Sequence, residues 1–478
     1  MTRRELLSAI PASVAAGYAA HASGAAPAAG KLKAGAATSN ITPPLGISLD
    51  GPISQNGPAT HVHDEMHARC LVLGDGNTQI TIAICDSTMM WQDLIDEAKA
   101  IASEKTGLPP ERMLIAATHT HSTPRIGVRN GEIERWYRDF LPRRIADGII
   151  RAYNNLSPAT IGWGSLQVPE FVFNRRWFVK PESIPLNPFG EKGRRVRMNP
   201  PAGSSDLIRP AGPVDPEFFV VSVRHADGRP LALLANYGLH YVGGVPRGSM
   251  SADYFGLFSD RVRDLLAAGH PDMPFVAMMS NGTSGDVNAV DFRKKRERQP
   301  LYTRMREIAH DLAEKAVRIS KEASYKDTLS LSAAHSGLNL GIRRPDESRI
   351  AWARKVWAEV EGTAQLTRPQ VYARENLALA DYPPTLQIPM QAFRIGSLGV
   401  SAIPNEVFAE TGLAIKQDST LKPTFTIELA NGYFGYLPTA EQHGWGGYET
   451  WPARSSCLET EAETKIRAEA LRLLQSVS

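Results

Sequence analysis

Met113-Leu114-Ile115-Ala116-Ala117 is an apolar run of strand length, and it opens directly into Thr118-His119-Thr120-His121-Ser122. A short apolar run bounded by polar residues predicts a strand buried on both faces. His119 and His121 fall where that strand ends. In extended backbone residues i and i+2 point the same way, so the alternation places both imidazoles on one side. Open α/β sheets bind ligands beyond the carboxyl ends of their strands. Two imidazoles at such an end suit a metal site or a proton-transfer site.

The pattern recurs along the chain. Ile80 to Cys85 ends at Asp86, and Leu231 to Leu234 runs through Asn236 and Tyr237 to His240. Phe275 to Met279 opens into a polar, Gly-containing loop that reaches Asp286. Leu398 to Pro404 delivers Glu406, and Thr424 to Leu429 leads into Asn431-Gly432-Tyr433-Phe434-Gly435-Tyr436. A polar loop after a strand explains any one of these. The recurrence of residues that ligate metal or move protons points to one assembled site. Between the strands, Trp91 to Thr106, Glu132 to Tyr153, Arg304 to Ala323, much of Ile350 to Leu379, and Glu459 to Val477 carry helical periodicity. The expected fold is α/β, a single catalytic domain over residues 31–478. Its mixed central sheet is flanked by helices, with the site at strand C-terminal ends. Residues 180–216 are rich in Pro, Gly and Arg without periodicity, which suits a lid or rim over those ends. Arg194, Arg195 and Arg197 within it are solvated, or steer an anionic substrate.

Composition narrows the function classes. Of 478 residues, 42% are hydrophobic and 22% charged, an ordinary globular balance with room for a large core. A net charge of +3 gives no argument for nucleic acid or an anionic membrane. Arg293-Lys294-Lys295-Arg296 sits beside Asp291 and Glu297, so it reads as a solvated loop. Residues 1–30 differ. Thr2-Arg3-Arg4-Glu5 precedes an Ala-rich stretch, and Ala20-His21-Ala22 offers an Ala-x-Ala cleavage site. This predicts an export signal of twin-arginine type, hence a periplasmic or extracellular protein. No transmembrane segment is expected in the mature chain. Three cysteines, Cys70, Cys85 and Cys457, are too few for a disulfide framework; Cys70 and Cys85 lie in strand-like runs and are expected as two buried free thiols, with a bridge between them as the alternative.

Several ordered motifs together resemble the neutral (non-lysosomal) ceramidase superfamily of zinc-dependent amide hydrolases. Ile41-Thr42-Pro43-Pro44-Leu45-Gly46 resembles its opening segment, and Ala117 to Ser122 its His-Thr-His motif. Phe173-Asn174-Arg175, Asn236 to His240, Pro404-Asn405-Glu406-Val407-Phe408, and Asn431 to Thr439 with Glu441 and Tyr448-Glu449 follow in the family's order. The resemblance implies zinc held by His119, His240, Glu406 and Tyr436. Imidazole nitrogen and carboxylate oxygen are ordinary zinc ligands, and a bound cation favours the phenolate of tyrosine. It further implies His121 as the proton shuttle to the leaving nitrogen, with Arg175 and Tyr448 holding the substrate carbonyl and stabilising the oxyanion. The substrate would be a small-molecule or lipid-like amide, cleaved by metal-activated water.

Three departures qualify the substrate. Where the family has Gly-Asp-Val-Ser-Pro-Asn, this chain has Gly285-Asp286-Val287-Asn288-Ala289-Val290. Asn288 replaces the serine proposed to act there; it can donate a hydrogen bond but cannot serve as a nucleophile. After His121 the family runs Ser-Gly-Pro-Gly-Gly, and here the residues are Ser122-Thr123-Pro124-Arg125-Ile126. The 30 residues after Tyr448 are also too short for the family's C-terminal immunoglobulin-like domain. All three argue against ceramide itself and leave the metal site intact. An esterase or lactonase on the same site, and a non-catalytic metal- or ligand-binding protein, are the alternatives. His61, His63 and His67 form a second histidine-rich stretch, where a further metal or plain hydrogen bonding is expected. Asp86 reads as a partner to a metal-bound histidine or as a helix cap. Asp286 would orient Asn288 or His121, or stabilise its turn.

Overall fold

A computed structural model describes residues 29–51, 57–126, 131–267, 275–360 and 366–478. Nearly all of the expected export segment, residues 1–28, lies outside them. Eight strands form the larger sheet: β1 (Lys33–Asn40), β2 (His67–Gly74), β3 (Gln79–Cys85), β4 (Met113–Ala117), β5 (Ser157–Gln167), β6 (Glu217–His225), β7 (Pro230–Tyr237) and β8 (Val276–Asn281). Their spatial order is β8-β7-β6-β5-β1-β2-β3-β4. The sheet is mixed: β3/β4 and β7/β8 pair in parallel, and the other neighbours are antiparallel.

A second sheet, which the sequence reading did not separate from the first, is built from β9 (Leu331–Gly341), β10 (Thr385–Ile395), β11 (Leu398–Ile403) and β12 (Thr424–Glu428) in that order. Its β11/β12 pair is again parallel. The two sheets share one core. Leu71 and Leu73, Ile80, Ile82 and Ile84, and Phe219 and Val221 meet Phe393, Val400, Phe425 and Ile427. Residues of the opposite parity bury the outer faces against helices. Cys70, Val72 and Ala83 pack on α1 (Gln92–Thr106) and α2 (Glu132–Asn154). Phe218, Val220 and Leu233 pack on α3 (Asp253–Ala267) and α4 (Thr303–Glu322). Ile388 and Met390 pack on a helix spanning Ala462–Val477. Strands buried on both faces need apolar residues at both parities, which is why they read as continuous apolar runs.

All three cysteines are buried and unbridged. Among the described residues, no helix is long and apolar enough to cross a membrane. The segment expected to form an aperiodic rim contains strand structure. Val196–Met198 and Leu207–Pro210 flank Arg176–Val179 in a small three-stranded sheet. The sheet lies against residues 442–447, with the Arg195 backbone amide donating to the Trp445 carbonyl at 3.0 Å and Gln442 Nε2 to the Ala211 carbonyl at 2.9 Å.

Candidate metal and catalytic centre

The three parallel strand pairs deliver their carboxyl ends to one place. β4 leads to His119 and His121, β7 to His240, β8 to Ser284, β11 to Glu406, and β12 ends at Glu428. The sheets are stitched together there: the Asn431 amide donates to the Ile115 carbonyl (2.8 Å) and Asn236 Nδ2 to the Thr426 carbonyl (3.0 Å).

The two histidines converge for a reason other than strand alternation. β4 stops at Ala117, and His119 adopts a left-handed backbone, φ 67°. A non-glycine residue there is strained and must be held by its surroundings. The His119 amide donates to the Ser87 carbonyl (2.9 Å), and Nδ1 meets the Thr88 carbonyl at 2.6 Å. A carbonyl only accepts, so the ring proton sits on Nδ1 and the Nε2 lone pair faces inward. His240 repeats the device, with Nδ1 3.1 Å from the Ser284 carbonyl.

Around His119 Nε2 lie His121 Nε2 at 3.2 Å and Glu406 Oε2 at 3.2 Å, with His240 Nε2 3.8 Å from that carboxylate oxygen. Tetrahedral ligands at zinc bond lengths are separated by about 3.3 Å. His240 Nε2 and Glu406 Oε2 are buried yet make no hydrogen bond. Buried polar atoms are costly without partners, so two converging orphans fit a ligand that the protein itself does not supply. His119, His121 and His240 form a group able to hold a metal ion, and no other such group occurs among the described residues.

Glu406 is fixed from both sides. Tyr433 Oη donates to its Oε1 at 2.8 Å, which leaves Oε2 toward the histidines. Glu406 also pairs in parallel register with Tyr436 across a two-residue bridge. Burial pushes the Glu406 carboxyl up, but His119 and Arg175 outweigh it and hold the group below its ordinary value. Burial, reinforced by Glu406, holds the Tyr436 phenol well above its ordinary value despite Arg175, so it is neutral until a cation adjoins it.

Arg175 Nη2 donates to the Gly285 carbonyl (2.8 Å) and to Tyr436 Oη (3.1 Å), and Nε to Glu449 Oε1 (3.2 Å). Glu449 is buried and also pairs with Arg176 at 2.5 Å. Breaking one arm of such a buried pair costs about 3–5 kcal/mol. Tyr448 is half-buried, its ring 5.7 Å from that of Tyr436. Burial first, then His119 and Arg175, holds the His121 imidazole well below its ordinary value, so it is neutral at pH 7. Its ring stacks on Tyr241 at 3.7 Å.

All four residues expected as ligands, and His121, Arg175 and Tyr448, therefore come together. Asn288 stands apart in its contacts: Nδ2 donates to Asn199 Oδ1 (2.8 Å) and Oδ1 accepts from the Val290 amide (3.0 Å). Asp286 stabilises its turn, bonded to Asn174 Nδ2 (2.6 Å) and the Ala409 amide (2.9 Å). Asp86 neither caps a helix nor touches a ligand; it forms a buried pair with Arg69 at 2.7 Å. His61 is exposed, His63 stacks on Tyr302 at 3.7 Å, and His67 lies 3.9 Å from Glu65, so this stretch gathers no metal site. Nothing in the sequence marks Thr88, Ser284, Tyr241 or Glu428 as part of the site. Thr88 and Ser284 act through backbone carbonyls, which leave no mark on residue type.

No family model matches the chain. A search of solved structures finds neutral ceramidase from Pseudomonas aeruginosa, with a TM-score of 0.68 at 19% identity over 94% of this chain and 74% of that one. The chain has the neutral ceramidase fold. A ceramidase complexed with C2 superposes equally well, with a TM-score of 0.69 at 18% identity over 94% of this chain and 75% of the other. At such identities the ceramidase fold is kept by the pattern of buried strands rather than by most individual side chains.

Proposed function

We propose that this chain is a zinc-dependent hydrolase that cleaves a linear amide. The observation that carries this reading is the convergence of two orphaned buried atoms, His240 Nε2 and Glu406 Oε2, on His119 Nε2, with a fixed cation and a neutral imidazole beside them. His119, His240, Glu406 and Tyr436 would hold the metal. Bound zinc would supply Lewis acidity toward the substrate carbonyl and bring the pKa of water to about 7.

The remaining steps belong to the chain. His121, neutral at pH 7, accepts a proton from the attacking water and passes it to the leaving nitrogen. Arg175 carries a permanent positive charge: burial lowers its pKa, but Tyr436 and Glu449 overcome that and raise it. Tyr448 keeps its proton because burial raises its phenol, so it is a hydrogen-bond donor. Both suit an oxyanion developing on the carbonyl oxygen. Asn288 contributes no nucleophile, which favours attack by water over a serine mechanism. The pair Arg3-Arg4 ahead of an Ala-rich stretch supports export to the periplasm or beyond.

The neutral ceramidase fold and the site favour an N-acyl amide, and the departures favour one smaller or more polar than ceramide. Arg194 and Arg195 are exposed beside residues 444–446, and Arg125 lies close to Asp50 at 3.6 Å. A long acyl chain needs continuous apolar wall, worth about 25 cal/mol per Å² buried. The test compares short-chain and long-chain N-acyl amides with one leaving amine, before and after chelation. Short-chain hydrolysis should equal or exceed long-chain hydrolysis, vanish on chelation and return with zinc. Absence of amide hydrolysis by zinc-loaded protein would overturn the activity. A strong long-chain preference would overturn the substrate class alone.

A further inference from the structure

Glu428 is the last residue of β12 and is fully buried. Its Oε2 accepts from two backbone amides, Val407 at 2.7 Å and Ser284 at 3.2 Å. Its Oε1 meets the Ser284 hydroxyl at 2.6 Å. Ser284 in turn presents its carbonyl to His240 Nδ1 at 3.1 Å and its Oγ at 3.3 Å. Val407 directly follows Glu406. One carboxyl group thus ties together the loop that orients His240 and the loop that carries Glu406. The same two loops are latched by the Gly285 amide, which donates to the Val407 carbonyl at 2.8 Å. They approach so closely that a Cβ on Gly285 would lie 2.4 Å from the Glu406 carbonyl oxygen.

We infer that Glu428 is a positioning residue of the metal centre, setting His240 through Ser284 and Glu406 through the Val407 amide. The inference rests on the reading of His240 and Glu406 as metal ligands. The clamp needs no particular protonation state. The two amides can only donate, so Oε2 accepts both. Oε1 and the hydroxyl share one proton whichever of them supplies it. In both cases the Ser284 carbonyl is held against His240 Nδ1, which keeps the proton there and the Nε2 lone pair toward the metal. A glutamine at 428 preserves this scheme: its oxygen takes the two amides and its NH₂ meets the hydroxyl. A methionine fills similar volume and leaves all three donors without an acceptor.

The test measures zinc affinity by competition with a chromophoric chelator, and the visible spectrum of the cobalt-substituted protein. Glu428→Met should weaken zinc binding roughly 10–100-fold and shift the cobalt bands, while Glu428→Gln stays within about threefold of the original chain. Ser284→Ala should weaken binding in the same direction by less, since the carbonyl contact to His240 remains. Unchanged affinity and spectrum in folded Glu428→Met would overturn the positioning role. Where Glu428→Met does not fold, Ser284→Ala decides, and original affinity with an original cobalt spectrum overturns it. A chain that binds no zinc, or a His240→Ala variant that binds as tightly as the original, would instead remove the underlying ligand reading.

Discussion

His119 at φ 67° shows how a site can be legible in sequence for an incomplete reason. Strand alternation correctly paired it with His121, yet the strand ends at Ala117 and a held left-handed turn does the work. His240 and Glu406 stood out because each closely follows an apolar run, and the family resemblance pointed to them and to Tyr436 as ligands. Glu428 did not stand out, because a carboxylate ending such a run looks like an ordinary strand terminus, and its role depends on two distant backbone amides. At this scale the open distinction is the part His121 plays. Its Nε2 lies as close to His119 Nε2 as a ligand would. Its neutral ring, stacked on Tyr241, equally suits a shuttle. His121→Ala should retain metal and lose turnover by roughly 10²–10⁴ on amides. Metal content and kcat measured on the same preparation check this, and loss of the metal would make His121 a ligand.

Among the elements, the helices expected at Trp91–Thr106, Glu132–Tyr153 and Arg304–Ala323 match α1, α2 and α4 nearly to their ends, since periodicity records burial directly. By contrast, α3 was not expected, and the stretch from Ile350 to Leu379 is divided between two helices. The small sheet around Arg176–Val179 was not expected either, because its strands pair across long separations and alternation is broken by proline and glycine. The connection from His61 to β2 carries a titration effect. Asp64 accepts from Ser251 Oγ (2.7 Å) and the Ala252 amide (2.5 Å), which fixes the approach to α3. Burial, aided by Asp86 and Asp253, outweighs these bonds and raises its carboxyl to about 7 from 3.8. Between those pH values the unfolded chain has released a proton that the folded chain keeps. Stability from this group is therefore full below the unfolded value and declines as pH rises toward 7. Asp64→Asn should match the original chain near pH 4 and melt higher by about 1–3 °C at pH 8. Thermal denaturation at the two pH values checks it; an equal difference at both would contradict the assignment.

For the whole molecule, the α/β class and the placing of the site at strand ends were legible, while the division into two stacked sheets was not. The central strands of both sheets are apolar at both parities, and nothing in a single sequence says which of two buried faces such a strand joins. That division has a functional consequence. The histidines lie just beyond strands of the larger sheet, and Glu406 and Tyr436 lie in a two-residue bridge beyond strands of the smaller, so the metal would join the two halves of the core. The proposed chemistry requires a zinc centre at this junction. Its most direct test is elemental analysis of the purified chain beside His119→Ala and His240→Ala, each confirmed folded. One zinc per chain is expected, and none in either variant. Absence of stoichiometric metal from the original chain, or full occupancy in both variants, would contradict it.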